Sequence, residues 1–242
     1  MINMFRELFV LRKHLDMGMT ILLLIGIFFI SKESAEMVND SMESSRWTVV
    51  VDAGHGGSDP GKVGINGEKE KYINLEIAKL LKQMLEEQQI RVIMTRESDK
   101  DLAPENSSNR KRDDMKMRCL LMKDVNPDCV VSIHQNSFSD ASAKGAQVFY
   151  YDSSEEGKHL GEILQNALVK NLDSSNHRLA KGNTSYYLLK KTEAPVVIVE
   201  CGFLSNHEEA ALLTTSSYQE KTAEAICLGI IEYLKEKETE IL

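Results

Sequence analysis

No CxxC pair occurs among the four cysteines, Cys119, Cys129, Cys201 and Cys227, so a zinc ribbon or a thioredoxin-type redox site has no ligands to build it. A basic stripe is missing too. The 242-residue chain carries 29 Lys and Arg against 37 Asp and Glu, a formal charge of −8. That leaves no cluster of cations to displace counterions from phosphates and argues against nucleic acid as a partner. The same acidity gives no help toward anionic polymers, so contact with a wall or a membrane must come from local groups. There is no internal repeat and nothing like an added wall-binding module. What remains is ordinary: 42% hydrophobic and 27% charged residues, enough to bury the core of one domain with trimmings. Cys129 and Cys201 fall in apolar runs and read as small buried hydrophobes.

The N-terminus has a different character. Arg6, Arg12 and Lys13 form a positive leader before the apolar run MGMTILLLIGIFFI, residues 17–30. That run is short for a spanning helix and suits the hydrophobic region of a signal peptide. Lys32 and Glu33 interrupt the small-residue pattern of a cleavage site, so residues 1–30 read equally as a cleaved signal peptide or as a retained signal anchor. In either form the positive leader stays in the cytoplasm and the remainder is exported. Residues 31–45, polar throughout, read as a linker, and residues 46–242 as the catalytic domain.

Within that domain, apolar and β-branched runs predict buried strands over residues 47–51, 90–94, 129–133, 146–151 and 196–199. Apolar residues at helical spacing predict helices over 74–88, 110–125, 156–172 and 218–235. Strands alternating with helices of this length predict an α/β fold, a single domain with a twisted, mainly parallel central sheet and helices on both faces.

Four separated pieces carry chemistry: VVVDAGHGG around His55, EKYINL from Glu70, VVSIHQNS around His134 and VVIVECGFLSN around Glu200. His55, His134 and Glu200 each come just after a buried run, and in open α/β sheets ligands gather at the carboxyl ends of strands. Glu70, just ahead of a helix, can reach the same place. Two imidazoles and one carboxylate are the ligands of catalytic zinc sites, which keep one position open; coordination there lowers the pKa of water to about 7. Glu200 would then take a proton from the water and pass it to a leaving nitrogen. Asn136 is a candidate substrate-binding amide. Glu68 rivals Glu70 on spacing alone. Taken singly, each histidine could be structural and Glu70 a solvated helix-start carboxylate. An ionised Glu200 behind VVIV is harder to explain without a function.

These pieces, with TRESD, resemble the zinc-dependent N-acetylmuramoyl-L-alanine amidases over residues 47–234, every motif in family order. The family pattern of Glu-Lys, two residues, then Asn-Leu selects Glu70, and it maps the zinc histidines to His55 and His134 and the catalytic glutamate to Glu200. The resemblance implies Zn2+ and cleavage of the amide between the lactyl group of muramic acid and L-alanine of the peptidoglycan stem peptide. A short chain with an export segment is most similar to the germination-type enzymes of the spore cortex. There, stripped muramic acid passes to a deacetylase that forms muramic δ-lactam, which implies action outside the cytoplasm at the forespore. Gln135 and Ser137 replace residues that are commonly Ala in the family, so substrate fit beside the metal is where a difference is expected. No insertion for an inhibitory helix is evident, which implies control by expression, export or an activating partner. A zinc peptidase acting within the stem peptide and a silent wall-binding relative are the alternative readings.

Overall fold

A computed structural model describes residues 45–241, together with Met19 and Phe28. The two N-terminal segments expected at residues 1–30 and 31–45 lie outside this range but for Met19, Phe28 and Ser45. Among the described residues no helix is long and apolar enough to cross a membrane.

In chain order the elements are β1 (Thr48–Ala53), α1 (Glu70–Glu87), β2 (Arg91–Met94), α2 (Arg110–Val125), β3 (Cys129–Asn136), β4 (Gln147–Tyr151), α3 (Glu155–Asn171), β5 (Lys181–Asn183), α4 (Tyr187–Lys191), β6 (Val196–Phe203), α5 (His207–Leu213) and α6 (Ser216–Ile241). The six strands form one sheet in the order β2-β1-β3-β6-β4-β5. All pairings are parallel except that of β4 with β6. The expected α/β architecture is therefore the one found.

Burial explains the apolar runs. Val49, Val51, Val131, Ile133, Val197 and Val199 face one side of the sheet and pack with Ile77, Leu81, Leu85, Leu164 and Ile230 of α1, α3 and α6. Each such side chain contributes roughly 1.5–3 kcal/mol. Val50, Val130, Val196 and Ile198 face the other side, against Met122 of α2 and Leu188 and Leu189 of α4. Strands covered on both faces show no alternation of apolar and polar residues, which is why these segments read as continuous runs.

The second face changes character toward the carboxyl ends of its strands. Side chains alternate along a strand, so the face holding Val50, Val130 and Ile198 continues into Asp52, Ser132, His134 and Glu200, just where the runs end. The strands themselves do not end there. His134 and Glu200 were expected past their strands, yet β3 and β6 run on to Asn136 and Phe203. Backbone pairing persists after the apolar pattern stops, with a register shift between His134 and Asn136. Glu70, expected ahead of its helix, is the first residue of α1, which starts four residues before the expected position 74.

Candidate metal and catalytic centre

His55 sits two residues beyond β1 in a turn of unusual backbone. Its φ is +63°, followed by Gly56 at +135° and Gly57 at +55°. Left-handed backbone costs a non-glycine residue about 1–3 kcal/mol and persists only where its surroundings fix it. The imidazole this turn presents is anchored through Nδ1, 2.9 Å from Asp59 Oδ2, which leaves Nε2 3.2 Å from Glu70 Oε2. Lys111 Nζ lies 3.1 Å from the same Asp59 oxygen.

Glu70 is the centre of the group. It is 1% exposed, and His134 Nδ1 stands 2.9 Å from its Oε1. The backbone N–H of Gln135 donates to Oε1 at 3.1 Å and that of Lys62 to Oε2 at 2.7 Å. Asn74 Nδ2 donates to Oε1 at 3.3 Å. Burial pushes the Glu70 carboxyl up, and the His134 and His55 contacts outweigh it, holding the group well below the usual carboxylate range. Burial alone would push the His134 imidazole down; the Glu70 carboxylate reverses this and raises it. The two rings meet edge to face, centroids 4.9 Å apart. Ligand atoms of His55, Glu70 and His134 all lie within 4.8 Å of one another, a spacing at which they could hold a metal ion.

Glu200 is the register partner of His134 across the β3–β6 ladder. It is 7% exposed, and among the described residues its Oε2 has no hydrogen-bond partner. Burial is the main cause that lifts its carboxyl to about 7; His134 opposes and Glu70 reinforces the rise. A carboxyl that titrates near neutrality, with an oxygen free to bond a ligand, can both accept and return a proton at working pH.

His55, Glu70, His134, Asn136 and Glu200 line one cavity of about 360 Å3. Glu68, the rival on spacing, accepts instead from the backbone of Asn66. Gln135 is turned away from solvent at 2% exposed and donates to Asn74 Oδ1 at 3.1 Å. The larger residue therefore braces the amide beside Glu70. His159, 2.9 Å from Glu236, and His207, 3.3 Å from Asn66, are exposed and lie outside the centre.

Several residues of the centre escape sequence reading. Asp59 anchors His55 at i+4. Lys62, Lys111 and Tyr186 line the cavity. Asp52, Arg96 and Arg118 build a buried network beneath it. Asp52 and Arg96 fall inside the pieces VVVDAGHGG and TRESD without a role being read for them, and the signal for Arg118 is its i, i+4 pairing with Asp114 on α2, Nε at 2.9 Å, a spacing common on solvated helices.

The carboxyl end of this α/β sheet thus brings together two imidazoles and a buried carboxylate at a spacing that could hold a metal ion, beside a second buried glutamate. Residues 49–232 match the family described as N-acetylmuramoyl-L-alanine amidase, and the chain belongs to that family. It is 40% identical over 200 residues to the germination-specific N-acetylmuramoyl-L-alanine amidase of Bacillus subtilis, covering 81% of this chain and 84% of the relative. Among solved structures, the CwlD amidase of Clostridioides difficile in complex with the GerS lipoprotein superposes with a TM-score of 0.76 at 39% identity, covering 78% of this chain and 99% of the other. The AmiC2 amidase of Nostoc punctiforme gives 0.69 at 32% identity, over 78% and 97% of the two chains.

Proposed function

We propose that this chain hydrolyses the amide between the lactyl group of N-acetylmuramic acid and L-alanine of peptidoglycan stem peptides, using zinc held by His55, Glu70 and His134. Family membership supports the reaction. The observation that carries the assignment of residues is the convergence of these three side chains beside the unpartnered oxygen of Glu200. The donor set fits zinc: two imidazoles and a carboxylate, with one imidazole held by Asp59 through its other nitrogen, as zinc-ligating histidines usually are. A bound zinc would supply Lewis acidity toward the scissile carbonyl and lower the pKa of water at the site. Glu200 takes the proton from the attacking water and delivers it to the nitrogen of L-alanine as the C–N bond breaks. Asn136, at the cavity wall, orients the substrate.

The chain is extracytoplasmic: residues 1–30 direct export or anchor it, residues 31–45 are the linker, and residues 46–242 are the catalytic domain. Its place is spore cortex maturation, where stripped muramic acid passes to a deacetylase that forms muramic δ-lactam. Similarity to a germination-specific amidase of a spore former supports this setting. Similarity to an amidase solved with a lipoprotein supports an activating partner. Digestion of purified peptidoglycan by the zinc-supplied enzyme, read by mass spectrometry, tests the reaction. Intact stem peptides beginning with L-Ala are the result predicted. Peptides cut internally would favour a peptidase; zinc-loaded protein that releases nothing, with or without a partner, would favour a silent wall-binding relative.

A further inference from the structure

Three successive carbonyls before and at His55 point at buried guanidinium groups. Ala53 O accepts from Arg96 Nε and from Arg118 Nη1, each at 2.8 Å. Gly54 O accepts from Arg96 Nη2 at 3.0 Å and from Asn74 Nδ2 at 3.1 Å. His55 O accepts from Arg118 Nη2 at 2.6 Å. The arginines come from different places, Arg96 just after β2 and Arg118 from the middle of α2, and are 4% and 1% exposed.

Two like charges buried side by side are costly unless the surroundings demand them. Asp52 and Asp114 answer Arg118, at 2.6 and 2.9 Å. The hydrogen bonds of Arg96 go to backbone carbonyls: Ala53, Gly54, Lys71 and Ser98. The Lys71 carbonyl, 2.7 Å from Nη2, belongs to the residue after Glu70, so one guanidinium ties the His55 turn to the helix start that carries Glu70. The opposite side of the turn is closed by His134, whose ring would lie 2.4 Å from a Cβ placed on Gly54.

We propose that Arg96 and Arg118 are positioning residues: they hold His55 in its left-handed conformation and at its spacing from Glu70 in the metal-free protein, so that affinity for a divalent metal depends on them. The proposal rests on the reading of His55 and Glu70 as metal ligands. Without the guanidinium contacts His55 relaxes to negative φ, and its imidazole leaves Glu70.

The test uses the full chain with Arg96→Lys, Arg96→Met and Arg118→Lys, beside Leu168→Ala, a core truncation in α3 remote from the turn. Zinc affinity is measured by chelator competition, and the site is read by the absorption spectrum of the cobalt-substituted protein. The arginine variants lose about tenfold or more in zinc affinity and change the cobalt spectrum. Leu168→Ala loses thermal stability but keeps both. Folded arginine variants that bind like wild type would overturn the proposal, as would equal weakening by Leu168→Ala. A metal-free crystal structure of the best-folded arginine variant reads the clamp without metal: His55 at negative φ supports it, and His55 unchanged overturns it. Wild type that binds no zinc would instead overturn the ligand reading.

Discussion

Glu200 and His134 stand directly opposite each other on neighbouring parallel strands, at the register point where an apolar ladder turns polar. Val196, Val197, Ile198 and Val199 pair with Val130, Val131, Ser132 and Ile133, and the next pair is glutamate with histidine. The proposed general base and the proposed metal-binding imidazole are thereby fixed on two strands, the placement that holds reacting groups most accurately.

Glu200→Gln keeps the shape and removes the transferable proton. Peptidoglycan hydrolysis falls by about a hundredfold to ten-thousandfold, while zinc content is retained. Because Glu200 Oε2 has no hydrogen-bond partner among the described residues, the neutral amide costs no stability. Thermal unfolding of the two proteins checks this: the variant melts at or above the wild-type midpoint.

Chelation removes both activity and stability. A ligand present at a hundred times its Kd stabilises the state that binds it by about 2.7 kcal/mol. A strong chelator therefore lowers the unfolding midpoint of wild type. Glu70→Gln, which weakens the central ligand, melts at the same temperature with or without it. Calorimetry of the four samples checks the prediction.

Gly54→Ala is the smallest change that should break the centre. A Cβ there meets the His134 ring at 2.4 Å, so the imidazole must move. Zinc affinity, measured by chelator competition, drops while the far-ultraviolet circular dichroism spectrum stays that of wild type.

Asp52 makes the domain sensitive to acid. Burial pushes its carboxyl up, but the Arg118 guanidinium and the hydroxyls of Ser132 and Thr95 prevail, bringing it from 3.8 down to about 2. A depressed carboxylate contributes stability above its unfolded pKa and loses it as pH falls through the folded one, here about 2 kcal/mol lost between roughly pH 4 and pH 2. Urea unfolding of wild type and Asp52→Asn at several pH values checks this. The stability gap between them is full at pH 5 and narrows toward pH 2.

The long buried strands, the four main helices and the residues that converge at the site are legible in the sequence, because apolar runs covered on both faces and side chains that end those runs leave a plain pattern. β5 and the helices α4 and α5 are not. Lys181–Asn183 is a three-residue strand at the edge of the sheet, and Tyr187–Lys191 is a five-residue helix, too short for a period to show. Arg118 is hidden for another reason: its helix also carries exposed charges at Lys111, Arg112 and Lys116, whereas its partners Asp52, Ala53 and His55 lie more than sixty residues away. The left-handed turn at His55 is only half legible. The glycines after it announce a turn, but the guanidinium groups bonded to its carbonyls come from just after β2 and from α2.

The most direct measurement is digestion of peptidoglycan in water enriched in oxygen-18, with the products read by mass spectrometry beside the Glu200→Gln variant. Hydrolysis of the lactyl amide puts one heavy oxygen into the lactyl carboxylate of the glycan. It releases an unlabelled stem peptide with a free L-alanine amino group, and the variant releases almost none. Heavy oxygen in the carboxylate of a peptide fragment, or undiminished release by the variant, would contradict the account.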